Sequence, residues 1–302
     1  MQVIRSEISG FCMGVSRALE MTLGAFETPG SAEDAGVYTM GPLIHNRRVL
    51  ESLKERGIKT LKDGEMAPKN STVLIRAHGI PPAQELSLRR GELRVLDATC
   101  PHVKKNQITA MGYAKRGYWV FLAGEKDHGE IIGLRSYTDT SLSSGPRCSV
   151  AANPAEAEAV AAELYKIGQG AEGKATRTVL IGQTTISPEE YEAIGESIKK
   201  YFPDIEILNT ICGATAERQR ALRELCEKAD AVIIAGGRDS ANTRRLLSLA
   251  LELGKPAWII ESAEELSPEI TAYEKVGLCS GASTPNDLIE EIEQSLYSRF
   301  GG

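Results

Sequence analysis

The stretch GFCMGVSRA at residues 10–18 places a cysteine where an apolar run ends and a helical pattern begins. The same arrangement returns in DATCPHVKK at residues 97–105 and in NTICGATAERQ at residues 209–219. The cysteines of these three corners are Cys12, Cys100 and Cys212. They lie about a third of the chain apart, too far for a zinc site with closely spaced ligands or a CxxC redox pair. Three thiolates from three similar corners predict a metal centre with one coordination position left open for reaction.

Strand-like and helix-like segments alternate along the whole chain, which is typical of a parallel α/β protein. The predicted strands are short, apolar and rich in β-branched residues: 72–76, 93–97, 118–123, 178–181, 231–235 and 257–260. The predicted amphipathic helices between them include 46–57, 188–201 and 284–299. Asn46 and Ser187 are predicted N-caps, and Gly57 is a predicted helix end.

A weak threefold repeat accompanies the three corners. In each third a second strand ends in a polar loop that begins with glycine: GPLIHN from Gly41, GEKDHGE from Gly124 and GGRDSANT from Gly236. A later strand ends in RAHG, GQTTIS or SGASTP. Ligands of parallel sheets bind at the carboxyl ends of strands, so nine such loops are expected to face one central cavity. The alternative is that glycine-rich strand ends are common to every α/β protein.

The repeat predicts three similar α/β lobes. Their expected bounds are 1–98, with Cys12, His45 and His78; 99–203, with Cys100, His128, Glu130 and Thr184; and 204–302, with Cys212, Ser240, Asn242 and Ser283.

The composition restricts the class of protein. A chain of 302 residues with 42% hydrophobic and 25% charged residues can bury a large core. The net charge of −6 argues against nonspecific binding of nucleic acid, which needs a basic face. The sequence contains no run of about 18 apolar residues, which a membrane span would need, and its first residues lack the apolar core of a signal peptide. We therefore expect a cytoplasmic protein that binds neither nucleic acid nor membrane.

The remaining cysteines, Cys148, Cys226 and Cys279, do not share the corner context. Cys226 lies in a helix pattern, and the other two lie in short apolar runs. Cysteines of a cytoplasmic chain are more often metal-binding, catalytic or buried than disulfide-linked. We interpret these three as small core residues.

Three of the four histidines, His45, His78 and His128, fall in the strand-end loops. The same loops carry further donors: Thr184, Thr185, Ser240, Asn242, Ser283 and Thr284. Hydroxyls, amides, imidazoles and helix N-termini can hold phosphate oxygens, and no P-loop or dinucleotide motif is present. This inventory predicts a small anionic ligand such as a phosphate. For Ser240, Ser283 and Thr284 helix capping alone is the alternative.

Glu130 follows His128 by two residues in DHGEIIG. In a closed cavity its carboxyl group would be partly desolvated, which would raise its pKa and let it deliver a proton near neutral pH. From the residues alone, an exposed glutamate in the first turn of a helix is the simpler interpretation, because it favours the helix dipole.

Nine segments, in order between residues 10 and 285, resemble the 4-hydroxy-3-methylbut-2-enyl diphosphate reductases, the LytB or IspH family of the non-mevalonate isoprenoid pathway. They are GFCMGVSRA, GPLIHNRRVLESLKERGI, RAHGI, DATCPHVKK, HGEIIG, GQTTIS, NTICGATAERQ, GGRDSANTRRL and GASTP. The resemblance implies a pseudo-threefold trefoil of the three lobes around a central 4Fe-4S cluster. It implies reductive removal of an allylic hydroxyl group, which yields isopentenyl and dimethylallyl diphosphate.

The resemblance also implies residue roles. Cys12, Cys100 and Cys212 match the cluster ligands, and the fourth iron is left open for the substrate hydroxyl. Glu130 matches the proton donor, and Thr184 matches the threonine that orients this acid and the substrate hydroxyl. The residues that match the diphosphate-binding side chains are His45, His78, His128, Ser240, Asn242 and Ser283. A ferredoxin or flavodoxin is the implied electron donor.

Three positions depart from the family pattern: Gly129 stands where proline is common, Ala241 replaces a second serine, and Gly182 replaces threonine or alanine. They leave open a diverged relative that reduces another small diphosphate. A redox-inactive iron–sulfur dehydratase and a non-enzymatic iron–sulfur sensor also stay open at this point.

Overall fold

The computed structural model describes residues 1–27, 36–62, 64–139, 147–169 and 176–300. Within these ranges the chain forms twelve β-strands and ten α-helices. The strands are β1 (Gln2–Arg5), β2 (Val37–Met40), β3 (Lys59–Leu61), β4 (Thr72–Ile75), β5 (Arg94–Asp97), β6 (Trp119–Ala123), β7 (Cys148–Ala151), β8 (Thr178–Gly182), β9 (Glu206–Ile207), β10 (Ala231–Ala235), β11 (Ala257–Ile260) and β12 (Lys275–Ser280). The helices are α1 (Met13–Glu27), α2 (Arg47–Glu55), α3 (Pro82–Arg90), α4 (Pro101–Lys115), α5 (Gly129–Tyr137), α6 (Pro154–Gln169), α7 (Pro188–Lys199), α8 (Gly213–Lys228), α9 (Ala241–Glu252) and α10 (Asn286–Phe300).

The chain divides into two compact units. Unit 1 comprises Met1–Met66 and Gly213–Gly302, and unit 2 comprises Ala67–Cys212. No helix of the described ranges is long and apolar enough to cross a membrane.

Unit 1 contains a parallel sheet with the strand order β1-β12-β10-β11, together with the parallel pair β2 and β3. Side chains of a strand alternate between its two faces. In β10, Ile233 packs into one hydrophobic cluster with α10, and Val232 and Ile234 pack into another with α8 and α9. Both faces are covered, which explains why this strand is apolar at every position.

Unit 2 contains a second parallel sheet, with the order β7-β6-β8-β9, and the parallel pair β4 and β5. Phe121 and Leu180 face a core that α6 and α7 complete. Val120 and Ile181 face the opposite core, against α4 and α5. This sheet is therefore also buried on both faces.

The sheets β1-β12-β10-β11 and β7-β6-β8-β9 share one topology. In each sheet, an inner strand, β10 or β6, follows the helix that begins after a corner cysteine. An edge strand, β1 or β9, leads into the next corner cysteine. Strand β2 pairs with β3 as β10 pairs with β11, and β4 pairs with β5 as β12 pairs with β1. The α/β class is thus confirmed, and all these pairings are parallel. The three lobe boundaries stay a prediction.

The six predicted strands match β4, β5, β6, β8, β10 and β11 to within one residue at each end. Asn46 caps α2 by accepting from the backbone N–H of Val49 at 3.1 Å, and Ser187 caps α7. Gly57 follows α2 with φ at +90°, a conformation that favours glycine.

The three predicted helices have different bounds in the structure, and the one predicted at 46–57 covers Arg47–Glu55. The helix predicted at 188–201 ends at Lys199, because Pro203 follows closely and disfavours helix before it. The helix predicted at 284–299 begins two residues later, since the backbone N–H of Thr284 donates to the carbonyl of Gly281 in a turn.

Candidate active site

The three corner cysteines occupy equivalent places in the backbone. Cys12, Cys100 and Cys212 each stand directly before the first residue of a helix, α1, α4 and α8, and each is half-buried. The structure therefore gives the three cysteines one common backbone setting, at the N-terminus of a helix.

Each cysteine is also held by an equivalent hydrogen bond. The backbone N–H of Cys12 donates to the carbonyl of Ala282 at 3.0 Å, in the loop after β12. The N–H of Cys100 donates to Ala77 at 2.9 Å after β4, and that of Cys212 to Thr184 at 3.0 Å after β8. These acceptors lie in the three matching loops SGAST, RAHG and GQTT. The repeat predicted from loop composition thus extends to single hydrogen bonds.

The other cysteines behave differently. Burial raises the pKa of the Cys148 and Cys226 thiols, and it raises that of Cys279 to about 12. Cys226 and Cys279 pack in one hydrophobic cluster of unit 1, and half-buried Cys148 packs against a cluster of unit 2. All six cysteines fall within the described ranges and none forms a disulfide. The interpretation of these three as core residues agrees with their packing.

Glu130 is a buried carboxylic acid. It lies in the first turn of α5 and is 1% exposed, so the interpretation as an exposed surface glutamate is wrong. Thr184 binds both of its oxygens: the backbone N–H donates to Oε1 at 2.8 Å, and the hydroxyl donates to Oε2 at 2.7 Å. Burial raises the pKa of Glu130 to about 7, against the lowering effect of these two hydrogen bonds.

The two oxygens of Glu130 are not equivalent. A backbone N–H can only donate, so Oε1 must remain an acceptor in either protonation state. The acidic proton therefore belongs on Oε2, where the Thr184 hydroxyl can switch from donor to acceptor. When Oε2–H donates to Thr184, the threonine O–H becomes available to a further acceptor.

His128 is the N-cap of α5. Its Nδ1 accepts the backbone N–H of Glu130 at 3.2 Å, which places the proton of the neutral imidazole on Nε2. The ring of His78 meets that of His128 edge-on, with centroids 5.2 Å apart. Unit 2 therefore brings together His78, His128, Glu130 and Thr184 as the sequence predicts.

In unit 1 the three polar loops after β2, β10 and β12 meet. The hydroxyl of Ser283 donates to the carbonyl of His45 at 3.0 Å. A Cβ on Gly237 would lie 2.6 Å from the same carbonyl oxygen, so only glycine allows this approach. An open cavity of about 880 Å³ begins beside these loops, and His45 and Gly237 are among its lining residues.

Asn242 has an unsatisfied side chain. It is 4% exposed, and neither Nδ2 nor Oδ1 has a hydrogen-bond partner within the described part of the chain. Buried amides are normally hydrogen-bonded, so both atoms of this carboxamide are ready to bind a polar ligand.

Helix capping, the alternative role for Ser240, Ser283 and Thr284, is observed for only one of them. Ser240 caps α9 by accepting from the backbone N–H of Thr243 at 3.4 Å. The hydroxyls of Ser283 and Thr284 donate instead to the carbonyls of His45 and Ala235. Capping alone therefore does not account for Ser283 and Thr284.

Two of the residues that depart from the family pattern, Gly182 and Gly129, lie against large side chains. A Cβ on Gly182 would lie 2.9 Å from the ring of Tyr191, whose hydroxyl donates to the carbonyls of Leu180 and Leu208. A Cβ on Gly129 would lie 2.9 Å from the guanidinium of Arg76. Each glycine thus leaves room for a larger neighbouring side chain. No contact explains Ala241.

The sequence reasoning did not single out Thr210 and Arg218. The Thr210 hydroxyl accepts the backbone N–H of Gly182 at 2.8 Å, which fastens the loop that carries Thr184. Arg218 is 5% exposed and binds the backbone near Cys12. Helical periodicity could have revealed it, because Thr215, Arg218, Leu222 and Leu225 form one buried stripe of α8.

The fold and these residues define an α/β protein with three helix-leading cysteines and a buried, threonine-bound acid. The family model described as LytB protein matches residues 3–297. The chain therefore belongs to the LytB family.

Several relatives cover nearly the whole chain. It is 40% identical over 300 residues to 4-hydroxy-3-methylbut-2-enyl diphosphate reductase of Treponema denticola, which covers 98% of this chain and 99% of the relative. Identity to the protein of the same name from Aquifex aeolicus is 36% over 295 residues, covering 97% of this chain and 95% of the relative.

Solved structures agree in fold. The E-1-hydroxy-2-methyl-but-2-enyl-4-diphosphate reductase of Plasmodium falciparum superposes with a TM-score of 0.85 at 26% identity, covering 98% of this chain and 88% of that chain. A structure described as (E)-4-hydroxy-3-methyl-but-2-enyl diphosphate reductase, the terminal enzyme of the non-mevalonate pathway, gives 0.67 at 36% identity and covers 99% and 100%.

Proposed function

We propose that this chain is a 4-hydroxy-3-methylbut-2-enyl diphosphate reductase. The reaction cleaves the allylic C–O bond with two electrons and two protons. One proton leaves with the hydroxyl group as water, and the other is added to the carbon skeleton to give isopentenyl or dimethylallyl diphosphate. The family membership and the names of full-length relatives support this proposal.

One observation within the structure carries the proposal. Thr184 binds Glu130 through its N–H and hydroxyl, and its own carbonyl accepts the N–H of Cys212. A single residue therefore connects a proton donor of raised pKa with the backbone of a proposed thiolate ligand. Redox removal of a hydroxyl group needs these two functions side by side.

The donor set fits a 4Fe-4S cluster. Cys12, Cys100 and Cys212 are half-buried, lie outside any disulfide and precede helix N-termini, whereas the three other cysteines are packed in hydrophobic clusters. Three thiolates of this kind are the ligands such clusters use. When bound, the cluster would supply electrons and a Lewis acid for the substrate oxygen.

Glu130 is the proposed acid. A pKa of about 7 keeps a substantial fraction protonated near neutral pH, and general acids work best in this range. Because the proton belongs on Oε2, the Thr184 hydroxyl is the proposed relay from Glu130 to the leaving oxygen. Burial of the pair excludes water that would otherwise exchange the proton.

The proposed diphosphate clamp uses neutral donors. The residues that we propose to bind the diphosphate are His45, His78, His128, Ser240, Asn242 and Ser283. The unsatisfied carboxamide of Asn242 supports this assignment most directly. A remote clamp of this kind orients the reacting carbon, which lowers the entropic part of the barrier.

The finer expectations belong to this proposal as well. We propose a cytoplasmic protein with three lobes in a pseudo-threefold trefoil around the cluster, which receives electrons from a ferredoxin or flavodoxin. Gly129 and Ala241 keep a related small diphosphate open as an alternative substrate.

The proposal is tested by anaerobic assay of the reconstituted protein with reduced methyl viologen and a panel of allylic diphosphates. We expect reductant-dependent formation of the two five-carbon diphosphates from 4-hydroxy-3-methylbut-2-enyl diphosphate. Faster turnover of another diphosphate would indicate the diverged relative. Product without reductant would indicate a dehydratase, and failure to bind any phosphate ester would indicate a sensor.

A further inference from the structure

Arg218 is a buried cation that holds the Cys12 corner. Its side chain extends from α8 and is 5% exposed. Nη2 donates to the carbonyl of Gly10 at 2.6 Å, and Nη1 donates to the carbonyl of Ser280 at 3.4 Å. The guanidinium thus joins the segment that precedes Cys12 to the end of β12.

The same two segments are also hydrogen-bonded to each other directly. The N–H of Gly10 donates to the Ser280 hydroxyl at 3.0 Å, and the N–H of Cys12 donates to the carbonyl of Ala282 at 3.0 Å. Gly10 has φ at +80°, and a Cβ there would lie 2.2 Å from Oδ1 of Asn286. These contacts restrict the Cys12 corner, and Arg218 adds one hydrogen bond to each of the two segments.

The guanidinium of Arg218 is bound two residues before Cys12. Nη2 lies 2.6 Å from the Gly10 carbonyl oxygen, and two residues span at most about 7 Å, so Nη2 lies within about 10 Å of the Cα of Cys12. A guanidinium stays charged at all working pH values, and burial weakens the screening of its field by solvent.

We propose that Arg218 is a positioning residue that fixes the Cys12 corner and, by its permanent charge, favours the reduced state of the cluster. This inference rests on the proposed function. Reduction adds negative charge to the metal centre, and a nearby fixed cation stabilises the state with more negative charge. Geometry and charge are separable, since lysine retains the charge and loses the planar fork.

The charge is tested by an anaerobic redox titration followed by electron paramagnetic resonance, with iron and sulfide content measured on each sample. In Arg218→Met we expect the one-electron reduction equilibrium to fall about tenfold, which lowers the midpoint potential by about 59 mV. Arg218→Lys should retain most of the wild-type potential. Arg220→Met is the matched control, because Arg220 lies on the exposed face of the same helix.

The positioning role is tested on metal-free protein by the rate at which iodoacetamide alkylates Cys12, resolved by peptide mapping. Both Arg218 variants should react faster than wild type, and Arg220→Met should not. Equal Cys12 rates in wild type and both Arg218 variants would overturn the positioning role, and an unchanged potential in Arg218→Met would overturn the role of the charge.

The two failures are distinguishable. A wild-type protein that assembles no cluster contradicts the proposed function, whereas the alkylation rates still decide the role of Arg218. If Arg218→Met does not fold, Arg218→Lys decides it by the same rate, because the loss of the fork alone must loosen the corner.

Discussion

Thr184 binds Glu130 through both carboxylate oxygens, at 2.8 Å from its backbone N–H to Oε1 and at 2.7 Å from its hydroxyl to Oε2. The two contacts make the oxygens inequivalent: Oε1 accepts from an N–H that can only donate, so the proton is favoured on Oε2. Burial raises the pKa of the same group to about 7. Thr184 thus fixes the position and the proton site of the proposed acid, while burial sets its raised pKa.

Glu130→Gln removes the acid and retains its shape. We expect the variant to fold and to assemble the cluster, while kcat falls by about 10²–10⁴-fold, the usual contribution of a general acid. Anaerobic kinetics with matched iron content measure this. Glu192→Gln, an exposed glutamate on α7, is the control and should leave kcat unchanged. Wild-type rates in Glu130→Gln would remove this residue from proton delivery.

Thr184→Val removes the hydroxyl and retains the backbone N–H. A hydrogen bond to the ionised carboxylate lowers its pKa, so we expect the pKa of Glu130 to rise further above about 7. The fall of activity at high pH should therefore move to higher pH, and kcat should drop because the relay is lost. Thr184→Ser should behave like wild type. Equal kcat in the valine and serine variants would argue against the relay, and identical pH profiles would argue against a hydrogen bond that lowers the pKa of Glu130.

The raised pKa of Glu130 also predicts a pH-dependent stability. The folded protein holds this proton up to about pH 7, and the unfolded chain loses it near its ordinary value of 4.5. The free energy of unfolding therefore decreases as the pH rises from about 4.5 to about 7, by about 3 kcal/mol.

Urea denaturation of metal-free wild type and Glu130→Gln at about pH 5 and about pH 8 measures this effect. Glutamine does not titrate, so the variant should gain stability relative to wild type as the pH rises. A difference in stability that stays constant with pH would mean that Glu130 is not perturbed.

Cys100→Ser should abolish or strongly weaken cluster assembly, because one of three thiolate ligands is lost. Cys148→Ser is the matched control, since Cys148 lies in the same unit and its thiol pKa is raised by burial. Iron and sulfide content after anaerobic reconstitution distinguish the two. Full cluster content and full activity in Cys100→Ser would show that the ligand assignment is wrong.

Gly182→Ala should destabilise the fold. The new Cβ would lie 2.9 Å from the Tyr191 ring, which two hydrogen bonds hold in place. Overpacking of this kind costs about 1–3 kcal/mol. Thermal or urea denaturation measures it, and Gly112→Ala, an open helical position, is the control. In the double variant with Tyr191→Leu the loss should be smaller, and an undiminished loss would point to backbone strain instead.

The sequence predicted the features that depend on local patterns. The strand bounds followed from short apolar runs, and the caps at Asn46 and Ser187 followed from residues that bind nearby N–H groups. The polar loops followed from glycine after apolar strands, and Gly41, Gly124 and Gly236 all have positive φ where their strands end. Each of these signals involves residues only a few positions apart.

The features that local patterns could not predict depend on distant partners. Glu130 resembles a surface glutamate until β8 places Thr184 against it, 54 residues later. Arg218 sits in a charged helical segment, and its partners Gly10 and Ser280 are 208 and 62 residues away. The contacts of a charged group are decided at this distance, so the role of Glu130 came from the resemblance. Helical periodicity indicates that Arg218 is buried but not what it binds.

The central claim is that a cluster on the three corner cysteines and the acid Glu130 together remove an allylic hydroxyl group. The most direct measurement is single-turnover product analysis of the reconstituted protein, reduced anaerobically and mixed with 4-hydroxy-3-methylbut-2-enyl diphosphate. The account predicts isopentenyl and dimethylallyl diphosphate from wild type, and almost none from Glu130→Gln with the same cluster content. Unchanged substrate in the presence of a fully assembled and reduced cluster would contradict it.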